Sequence, residues 1–551
     1  MSKDQFSYRL DQQPSVPARL QHPGRGTAVL SLRDCLARAH DIRGLSLQPL
    51  ALAAVLTRVL APLVIDIFGV PRSIDEWAER WKLASFDARA IDAYFAQHGE
   101  RFDLFDPVAP FDQTPGLRTG KGELKPSSVL LPAVASGNSV PLFGSRTEAE
   151  PPPLDATAAF AALEVAQAYD TAAIKSGAAG DPAVKSGKTT GNHVGALGAI
   201  GLVLPQGRNL FETLMLNLPA GSAWKFSSDD APHWRKPPPG PAWNAAGTPT
   251  GLLELLTWQS RRVRLVPEAL ADGSLAVRRV VLTAGDRLKE VPHWDPRTQW
   301  RARARMAPGL GPDMPVRHLP GRMGWRGLTS LLAVRVDTAD ERKTRTSHLL
   351  VQVGEALDEG HIEPTYPLDV LSVGVEYGNQ SAVVESVMAD ALPLPVRALN
   401  ADGEMRRFVL DAADQAETVR RALNRLESDL REACGGERIP GGVPGAGDAV
   451  VQNLDGPMRA LMRALRGDPQ DIVRPLRTWQ QAAAAIALMQ ADSLLADNPP
   501  SAFNHRKPDG RRSNTTLARR AFHATLRKHL PLGWPGPAVE PAEIPKETTH
   551  G

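Results

Sequence analysis

TVRRALNRLESDLREA, residues 418–433, is the stretch that decides the fold of the second part of the chain. Val419, Leu423, Leu426 and Leu430 recur in it at spacings of four, three and four residues. This spacing places the four apolar side chains on one face of an α-helix. Charged residues fill most of the remaining positions, as is typical of an amphipathic helix that packs against a core. We therefore expect a helical unit around this segment.

Three further segments in the last third of the chain also carry helical patterns. An apolar stripe recurs in residues 454–465, and residues 479–495 are rich in alanine. Asn514 or Thr515 is placed to cap a last helix. The side chains expected to face inward on that helix are Leu517, Ala521, Phe522 and Leu526. Four amphipathic helices with short links predict an all-α four-helix bundle over residues 396–551.

Residues 1–395 mix short helices with strand-like runs. Val277–Thr283 (VRRVVLT) and Leu331–Val336 are rich in β-branched or apolar residues and predict strands. Ile74–Gln97 predicts one or two helices, and Ser31 is placed to cap a short one. The chain is therefore predicted to be α+β, with a mixed α/β N-terminal domain followed by the all-α bundle.

The composition favours a folded protein in a reducing compartment. Hydrophobic residues make up 42% of the 551 residues, and the formal net charge is +3. Cys35 and Cys434 have no metal-ligand spacing, so neither a disulfide framework nor a zinc site is expected. The N-terminus lacks the apolar region of a signal peptide, and prolines and charges interrupt the apolar run Leu45–Phe68. We expect a cytoplasmic protein without a membrane segment and a buried helix over about Pro49–Leu60.

Enzyme motifs are weak in this sequence. KSGKTT, Lys185–Thr190, resembles the end of a phosphate-binding loop, but Pro182 occupies the position that needs the first glycine. The histidines are scattered without metal-ligand spacing. The acidic pair Asp229 and Asp230 is more typical of a solvated turn than of a metal site. We therefore expect no catalytic residues, no cofactor and no metal site.

Basic residues cluster at several places on this nearly neutral chain. One cluster, Arg261, Arg262 and Arg264, lies in the segment TWQSRRVRL. Others surround Trp300 and occupy the last helix. The side chains expected to contact a DNA backbone are Arg301, Arg303, Arg305, Arg519 and Arg520. Such clusters indicate local sites for nucleic-acid phosphates, and the alternative is that the arginines pair with the 61 acidic residues.

Six strings spread along the chain carry a family resemblance. They are RFDLFDPVAPFDQTP (101–115), LLPAVASGNSVPLFGSRTE (130–148), GRNLFETLMLNL (207–218), GLLELLTWQSRRVRL (251–265), HWDPRTQWR (293–301) and EYGNQSAVVES (376–386). In this order and spacing they resemble segments of the CasA family, whose members are the large subunit of the type I-E CRISPR Cascade complex. The resemblance covers nearly the whole chain.

The resemblance implies a non-catalytic subunit that interrogates DNA. CasA proteins combine a mixed α and β body with a C-terminal four-helix bundle. They scan duplex DNA for the protospacer-adjacent motif, help to open the strands for R-loop formation and help to recruit a helicase–nuclease, while guide RNA reads the remaining target. The implied partners are the crRNA-containing Cascade subunits (backbone, small and 5′-handle-binding), double-stranded target DNA and the helicase–nuclease.

The resemblance also assigns roles to one turn. Asn379 and Ser381 match the residues that read the motif in the minor groove, where an amide can meet base acceptors or a guanine amino group. Gln380 matches the wedge that enters the duplex beside the motif, which costs a few kcal/mol of unstacking. Without the resemblance, GNQS would be interpreted as an ordinary turn.

Other matches leave alternatives open. The family's glycine-rich loop aligns with residues 170–177, which contain a single glycine. Either the backbone groups of Ala173, Ile174, Lys175 and Ser176 contact the motif there, or the later GKTTG segment takes over that role. The family's lysine finger aligns with Arg287 or Lys289. The candidates for contact with the guide RNA or its neighbouring backbone subunit are Asn138 and Phe143.

Two other classes of function stay in view. A nucleotide-processing enzyme has KSGKTT as its best support, and ATP turnover would favour it. A protein scaffold without direct DNA contact is the second, and the salt dependence of DNA binding would separate it from a phosphate-binding protein.

Overall fold

The computed structural model describes residues 6–22, 26–132, 153–224, 228–305, 310–321, 324–333, 344–400, 403–440, 442–468, 470–503 and 514–534. The chain separates into two compact units. The first comprises Met1–Leu392 with Leu399–Ala401, and the second comprises Pro393–Ala398 with Asp402–Gly551.

The first unit mixes helices and short sheets, as predicted. Its strands are β1 (Val16–Leu20), β2 (Thr27–Leu30), β3 (Ile42–Leu45), β4 (Lys125–Pro126), β5 (Lys175–Ser176), β6 (Lys188–Thr189), β7 (Leu202–Gln206), β8 (Arg261–Ala269), β9 (Leu275–Ala284), β10 (Trp300–Ala302), β11 (Asp313–Pro315), β12 (Thr344–Arg345), β13 (Asp369–Tyr377) and β14 (Val384–Pro393). Its helices are α1 (Leu32–Ala37), α2 (Pro49–Val55), α3 (Ala61–Phe68), α4 (Ile74–Lys82), α5 (Ala88–His98), α6 (Ala156–Tyr169), α7 (Leu210–Leu216), α8 (Leu252–Leu256), α9 (Leu328–Leu331) and α10 (His348–Asp358).

Two three-stranded sheets position the candidate site. In one, β9 pairs antiparallel with both β8 and β4. In the other, β13 lies between β14 and β7, with Val373 opposite Leu202. The strand predicted over Val277–Thr283 is confirmed as part of β9, which is buried continuously from Val280 to Ala284. The central strands β9 and β13 are therefore largely buried, and the turn after β13 is the exposed part of its hairpin.

One long apolar helix runs through the core of the first unit. It consists of α2, a π-helical stretch (Leu56–Leu60) and α3, so it extends beyond the predicted end at Leu60. Pro62 lies inside this continuous helix, directly after the π-helical stretch, and its missing N–H removes one helical hydrogen bond there. The helix has 20 residues, and an 18-residue window of it has a mean hydropathy of 2.1, which would suit a membrane span by length and composition, but 83% of that window is buried inside the protein. That burial is typical of a core helix.

A buried charge network centres on Arg58 of this helix. The guanidinium donates to the carboxylates of Glu164 at 2.9 Å and Asp112 at 2.8 Å. Burial raises the pKa of Glu164 to about 8, and the neighbouring Asp112 adds to that rise. His233 lies 3.7 Å from Asp112, and burial lowers its pKa to about 4. Removal of one partner from such a network leaves an uncompensated buried charge, which typically costs about 3–5 kcal/mol.

The strand predicted over Leu331–Val336 is wrong for its described part. Leu331 ends helix α9, and residues 334–343 lie outside the described residues. Leu328, Leu331 and Leu332 are buried at helical spacing. The apolar residues of this run therefore form one buried face of a helix. The prediction was wrong because a short apolar run does not distinguish a strand from a buried helix.

The second unit contains the four predicted helices. They are α11 (Glu404–Ala433), α12 (Ala446–Ala464), α13 (Val473–Ala496) and α14 (Thr515–His529). The α11 stripe from Val419 to Leu430 is buried, as are Leu454 and Met458 of α12. On α13 the buried residues are mainly small alanines, which allow neighbouring helices to approach closely. The four-helix bundle is thus confirmed.

The inward face of α14 differs from the prediction. Asn514 caps the helix, with its side-chain oxygen accepting from the Leu517 N–H at 3.0 Å. Leu517 and Ala521 are exposed, whereas Ala518 and Phe522 are buried. Phe522 and Leu526 face inward as predicted. Ala518 therefore takes the inward place expected of Leu517, and Ala521 is the second position that the prediction placed wrongly.

Candidate nucleic-acid interface

The turn predicted to read DNA lies at the tip of a β-hairpin. A short 3₁₀ turn, Asn379–Ser381, connects β13 to β14. The Gly378 N–H donates to the Val383 carbonyl at 2.9 Å and closes the turn. The side chains of Asn379 and Gln380 are exposed. Donors and acceptors at this tip are therefore accessible to a ligand.

Two consecutive residues of this reading turn have a left-handed backbone. Gln380 has φ 53° and ψ 26°, and Ser381 has φ 55°. A non-glycine residue in this conformation costs on the order of 1–2 kcal/mol, because its Cβ approaches the following carbonyl. Such strain clusters at ligand-contacting sites, where the surrounding structure over-determines the backbone.

Hydrogen bonds tie the reading turn to the loop that follows α6. The Ala172 N–H donates to the Ser381 carbonyl at 2.8 Å, and the Tyr377 hydroxyl donates to the Tyr169 carbonyl at 2.8 Å. Gly198 leaves room for that hydroxyl, since a Cβ at this position would lie 2.2 Å from it. The structure thus brings together two segments that the sequence assigned separately to motif contact.

Arg261 of β8 fixes the same loop. Its guanidinium pairs with the Asp170 carboxylate and donates to the carbonyls of Thr171 at 2.8 Å and His193 at 2.6 Å. The planar five-donor guanidinium lets one side chain satisfy several acceptors. Arg261 is 2% exposed. Its predicted place in a phosphate-binding cluster is therefore wrong, and it serves as a buried tie.

Lys175 is buried beside Arg261. Its ammonium lies 2.7 Å from the Asp170 carboxylate, and its side chain is 6% exposed. Burial lowers the pKa of Lys175 to about 8, and Asp170 opposes that shift. The Lys175 side chain is therefore engaged inside the fold, and contact of the motif with the backbone of residues 173–176 stays a prediction. Ile174 is 61% exposed and is the neighbouring side chain that reaches solvent.

A second group of basic side chains surrounds a cleft of about 730 Å³. Both lysine-finger candidates line this cleft, with Arg287 half-buried and Lys289 exposed. The other arginines that line it are Arg261, Arg301, Arg303 and Arg317. Because the two candidates share one cleft, the structure does not choose between them.

Only the first of the three arginines that follow Trp300 lies in a strand. Strand β10 ends at Ala302, and the Arg303 N–H donates to the Pro312 carbonyl. Arg303 also directs its Nε–H to the Gly311 carbonyl at 2.8 Å. Arg301 and Arg305 are exposed, with Arg305 in a bend beyond the strand.

Two more arginines from the predicted clusters are structural. Arg262 is 3% exposed and pairs with Asp286 at 2.7 Å. Arg297 is 4% exposed and pairs with Asp295 at 2.8 Å. The alternative that clustered arginines pair with acidic residues therefore holds for these side chains.

The remaining predicted contacts divide between exposed and undescribed residues. Arg519 and Arg520 are exposed on α14 of the second unit. Asn138 and Phe143 lie outside the described residues.

The KSGKTT segment forms a tight hairpin turn instead of a nucleotide loop. Lys185 and Lys188 exchange both backbone hydrogen bonds, at 2.9 and 3.0 Å. Ser186 and Gly187 between them have φ 50° and 74°. Two left-handed residues are typical of a type I′ hairpin turn, which needs no following helix. A phosphate loop would instead connect a strand to a helix N-terminus.

The acidic groups offer little for metal chemistry. Asp230 accepts from the Leu253 and Glu254 N–H groups at 3.0 and 2.9 Å, and so caps α8. Within the described parts of the chain, Asp75, Glu359 and His361 bring possible ligand atoms within 4.8 Å of one another. The two carboxylates of this group are exposed, and such surface clusters are common without a metal.

The sequence of this chain is similar to CRISPR-associated proteins. The profile of the family described as CRISPR-associated protein Cse1 matches residues 12–490. The CRISPR-associated protein CasA/Cse1 of Thermus thermophilus is 29% identical over 442 residues, which cover 79% of this chain and 80% of that protein.

Solved structures share the fold. The crystal structure of Thermobifida fusca Cse1 is 31% identical and gives a TM-score of 0.81, covering 97% of this chain and 100% of that chain. A chain in a structure of a CRISPR RNA-guided surveillance complex is 22% identical and gives a TM-score of 0.62, covering 94% of this chain and 99% of that one. With a family match over most of its length, the chain belongs to the CRISPR-associated protein Cse1 family.

Proposed function

We propose that this chain is the large subunit of a CRISPR RNA-guided surveillance complex and recognises the protospacer-adjacent motif in duplex DNA. The observation that carries the proposal is the reading turn, which is exposed, strained and hydrogen-bonded to the loop at residues 170–177. Hydrogen bonds from the Gly378 N–H to Val383 and from the Ala172 N–H to Ser381 hold the strained backbone of the turn in place. A strained backbone that is fixed in this way is typical of a ligand-contacting site.

Asn379 is the proposed reader of the motif. Its amide offers both a donor and an acceptor at the exposed tip of the hairpin. In the minor groove, A·T pairs present acceptors alone and G·C pairs add a guanine amino donor. An amide held in one orientation can distinguish these patterns. Ser381 adds a hydroxyl beside it, while its carbonyl accepts from Ala172.

Gln380 is the proposed wedge. It is the exposed residue at the centre of the turn, and its left-handed backbone directs the chain sharply around it. Insertion of a side chain into a duplex costs a few kcal/mol per unstacked step. That cost is acceptable here because R-loop formation exchanges one duplex for another of similar stability.

The proposed subunit has no catalytic role of its own. Its partners are the crRNA-containing Cascade subunits, double-stranded target DNA and, at a later step, the helicase–nuclease, in the cytoplasm. The other proposed DNA contacts are Ile174, Arg287 or Lys289, Arg301, Arg303 and Arg305, with Arg519 and Arg520 in the second unit.

A gel-shift assay tests this function. The protein is added to a crRNA complex that lacks its large subunit, with target duplexes that carry or lack a candidate motif. We expect motif-dependent binding to appear only with the protein present. Asn379→Ala should reduce the preference for the motif by about 1–3 kcal/mol, while Ser386→Ala on β14 serves as the matched control.

Two outcomes would contradict the proposal. Binding that does not change when the protein is added would favour a scaffold without DNA contact. An Asn379→Ala protein that keeps full motif preference would remove the reading turn from motif recognition.

A further inference from the structure

A cleft of about 290 Å³ lies between the turn at residues 119–123 and the β5–β6 hairpin. Lys121, Lys125 and Lys188 line it, and we call it the lysine cleft. Lys121 and Lys188 are exposed and Lys125 is half-buried. Glu123 is the acidic residue on its wall. The KSGKTT segment, which does not form a nucleotide loop, supplies Ser186, Gly187 and Lys188 to one side of this cleft.

Backbone pairing fixes the lysine-bearing segments relative to one another. Ser176 lies opposite Lys188 in the β5–β6 ladder. The Ala179 N–H donates to the Arg118 carbonyl at 2.8 Å and joins the hairpin to the 119–123 turn. Lys125 is held in β4 by pairing with β9. The backbone segments that carry the three lysines are therefore held next to one another by the fold.

The lysine cleft has unusual charge for this chain. The chain contains 14 lysines against 50 arginines, yet five of the lysines lie between residues 121 and 188. Lys175 is compensated by Asp170. Among the residues that the structure describes, Lys121, Lys125 and Lys188 form no ion pair within 4.0 Å. Like charges held together without partners are stabilised by a bound anion.

We propose that the lysine cleft binds phosphate groups of the target DNA backbone beside the motif. This inference rests on the proposed function, because the cleft adjoins the reading turn. Ile174 and Lys175 line both the lysine cleft and a neighbouring cavity that Ala382 helps to close, next to Ser381. A duplex that presents its minor groove to the turn also presents its backbone to the flanking surface.

Lysine chemistry determines what the cleft contributes. An ammonium group is a mobile point charge, whereas recognition of a base edge needs fixed directional donors. Phosphate contacts set register and affinity but carry no sequence information. The cleft is therefore expected to strengthen binding to motif-bearing and motif-free duplexes by the same factor.

The experiment is a salt titration of DNA binding by the reconstituted complex. Wild type is compared with the triple variant Lys121→Gln/Lys125→Gln/Lys188→Gln on duplexes with and without the motif. We expect weaker binding to both duplexes, an unchanged ratio between them, and a log–log salt slope that is shallower by about 0.9 for each phosphate that the variant no longer neutralises. The triple Lys→Arg variant keeps the charge and should restore the affinity and slope.

Matched single variants control for a general loss of charge. Lys188→Gln removes one positive charge from the cleft, and Lys82→Gln removes one from the exposed surface of α4. Lys188→Gln should weaken binding and Lys82→Gln should not. Thermal unfolding of each cleft variant should match wild type, because the substituted side chains have no ion pair to lose in the cleft.

The outcomes separate this inference from the proposed function. If wild type itself shows no motif-dependent binding, the proposed function fails first. If wild type binds normally and the triple variant keeps its affinity and slope, the lysine cleft does not bind phosphate. A triple variant that loses motif preference with an unchanged slope would also overturn the inference, because the lysines would then be reading bases.

Discussion

Substitution of Gln380 by glycine or alanine separates the backbone of the reading turn from its side chain. Gln380 has φ 53°, a conformation that costs a non-glycine residue about 1–2 kcal/mol. Glycine removes this cost but adds about 0.5–1 kcal/mol of unfolded-state entropy. Gln380→Gly should therefore change the free energy of unfolding by between zero and about 1.5 kcal/mol, in the stabilising direction. Gln380→Ala keeps the Cβ and should stay within about 0.5 kcal/mol of wild type.

Both substitutions should impair strand opening to the same extent. Each removes the side chain proposed to enter the duplex, where unstacking costs a few kcal/mol per step. If that side chain offsets about 1–2 kcal/mol of the cost, the opening equilibrium falls roughly 5–30-fold. Initial binding to a motif-bearing duplex should change much less, because Asn379 and the lysine cleft are intact.

Two measurements decide the matter. Denaturant unfolding of the isolated protein gives the stability of both variants, and permanganate reactivity of unpaired thymines in the assembled complex gives strand opening. A glycine variant less stable than the alanine variant would refute the strain argument. Normal strand opening in both variants would refute the wedge, whatever their stabilities.

Two further predictions concern buried groups of the first unit. Arg261→Met should destabilise the unit by about 3 kcal/mol, because several carbonyls lose their donor and Asp170 keeps only Lys175 as a partner. Thermal unfolding measures this loss of stability. Motif preference in the gel-shift assay should fall in the same variant, because Arg261 fixes the loop that contacts the reading turn. The pKa of His233 is about 4 in the folded state and 6.5 ordinarily, so the unfolded state binds more protons between these values. The contribution of His233 to the free energy of unfolding should therefore fall as the pH is lowered from about 6.5 to 4, whereas Glu164, whose pKa is raised from 4.5 to about 8, contributes with the opposite sign. The difference between wild type and His233→Gln in a denaturation series isolates the His233 contribution.

Local spacing was sufficient to predict the helices of the second unit, but not every inward face. On α14, the stripes that begin at Leu517 and Ala518 both repeat at helical spacing, and they differ by one position, or about 100° around the helix. Leu517 is the more apolar choice, yet Ala518 is buried. Sequence pattern ranks side chains by hydrophobicity, whereas packing selects the side chain whose size fits the neighbouring helices.

The reading turn shows a different limit. The family resemblance indicated Asn379, Gln380 and Ser381, and the structure places them at an exposed hairpin tip. The segment has a glycine at Gly378, which suggests where a left-handed residue would fall. The left-handed backbone occurs instead at Gln380 and Ser381. Tertiary contacts with the loop after α6 hold that conformation, and the propensities of the four residues alone do not contain this information.

The basic residues show why cluster density is a poor guide to phosphate sites in this chain. Adjacent arginines such as Arg261 and Arg262 are buried, because a guanidinium stays charged and can satisfy several carbonyls and a carboxylate at once. A dense run of arginines can therefore be an internal tie. Lys121 and Lys188 are far apart in sequence and become neighbours only through the pairing of a hairpin with a turn. Cations that lack an internal partner, and not cations that are close in sequence, are the ones left to bind an external phosphate.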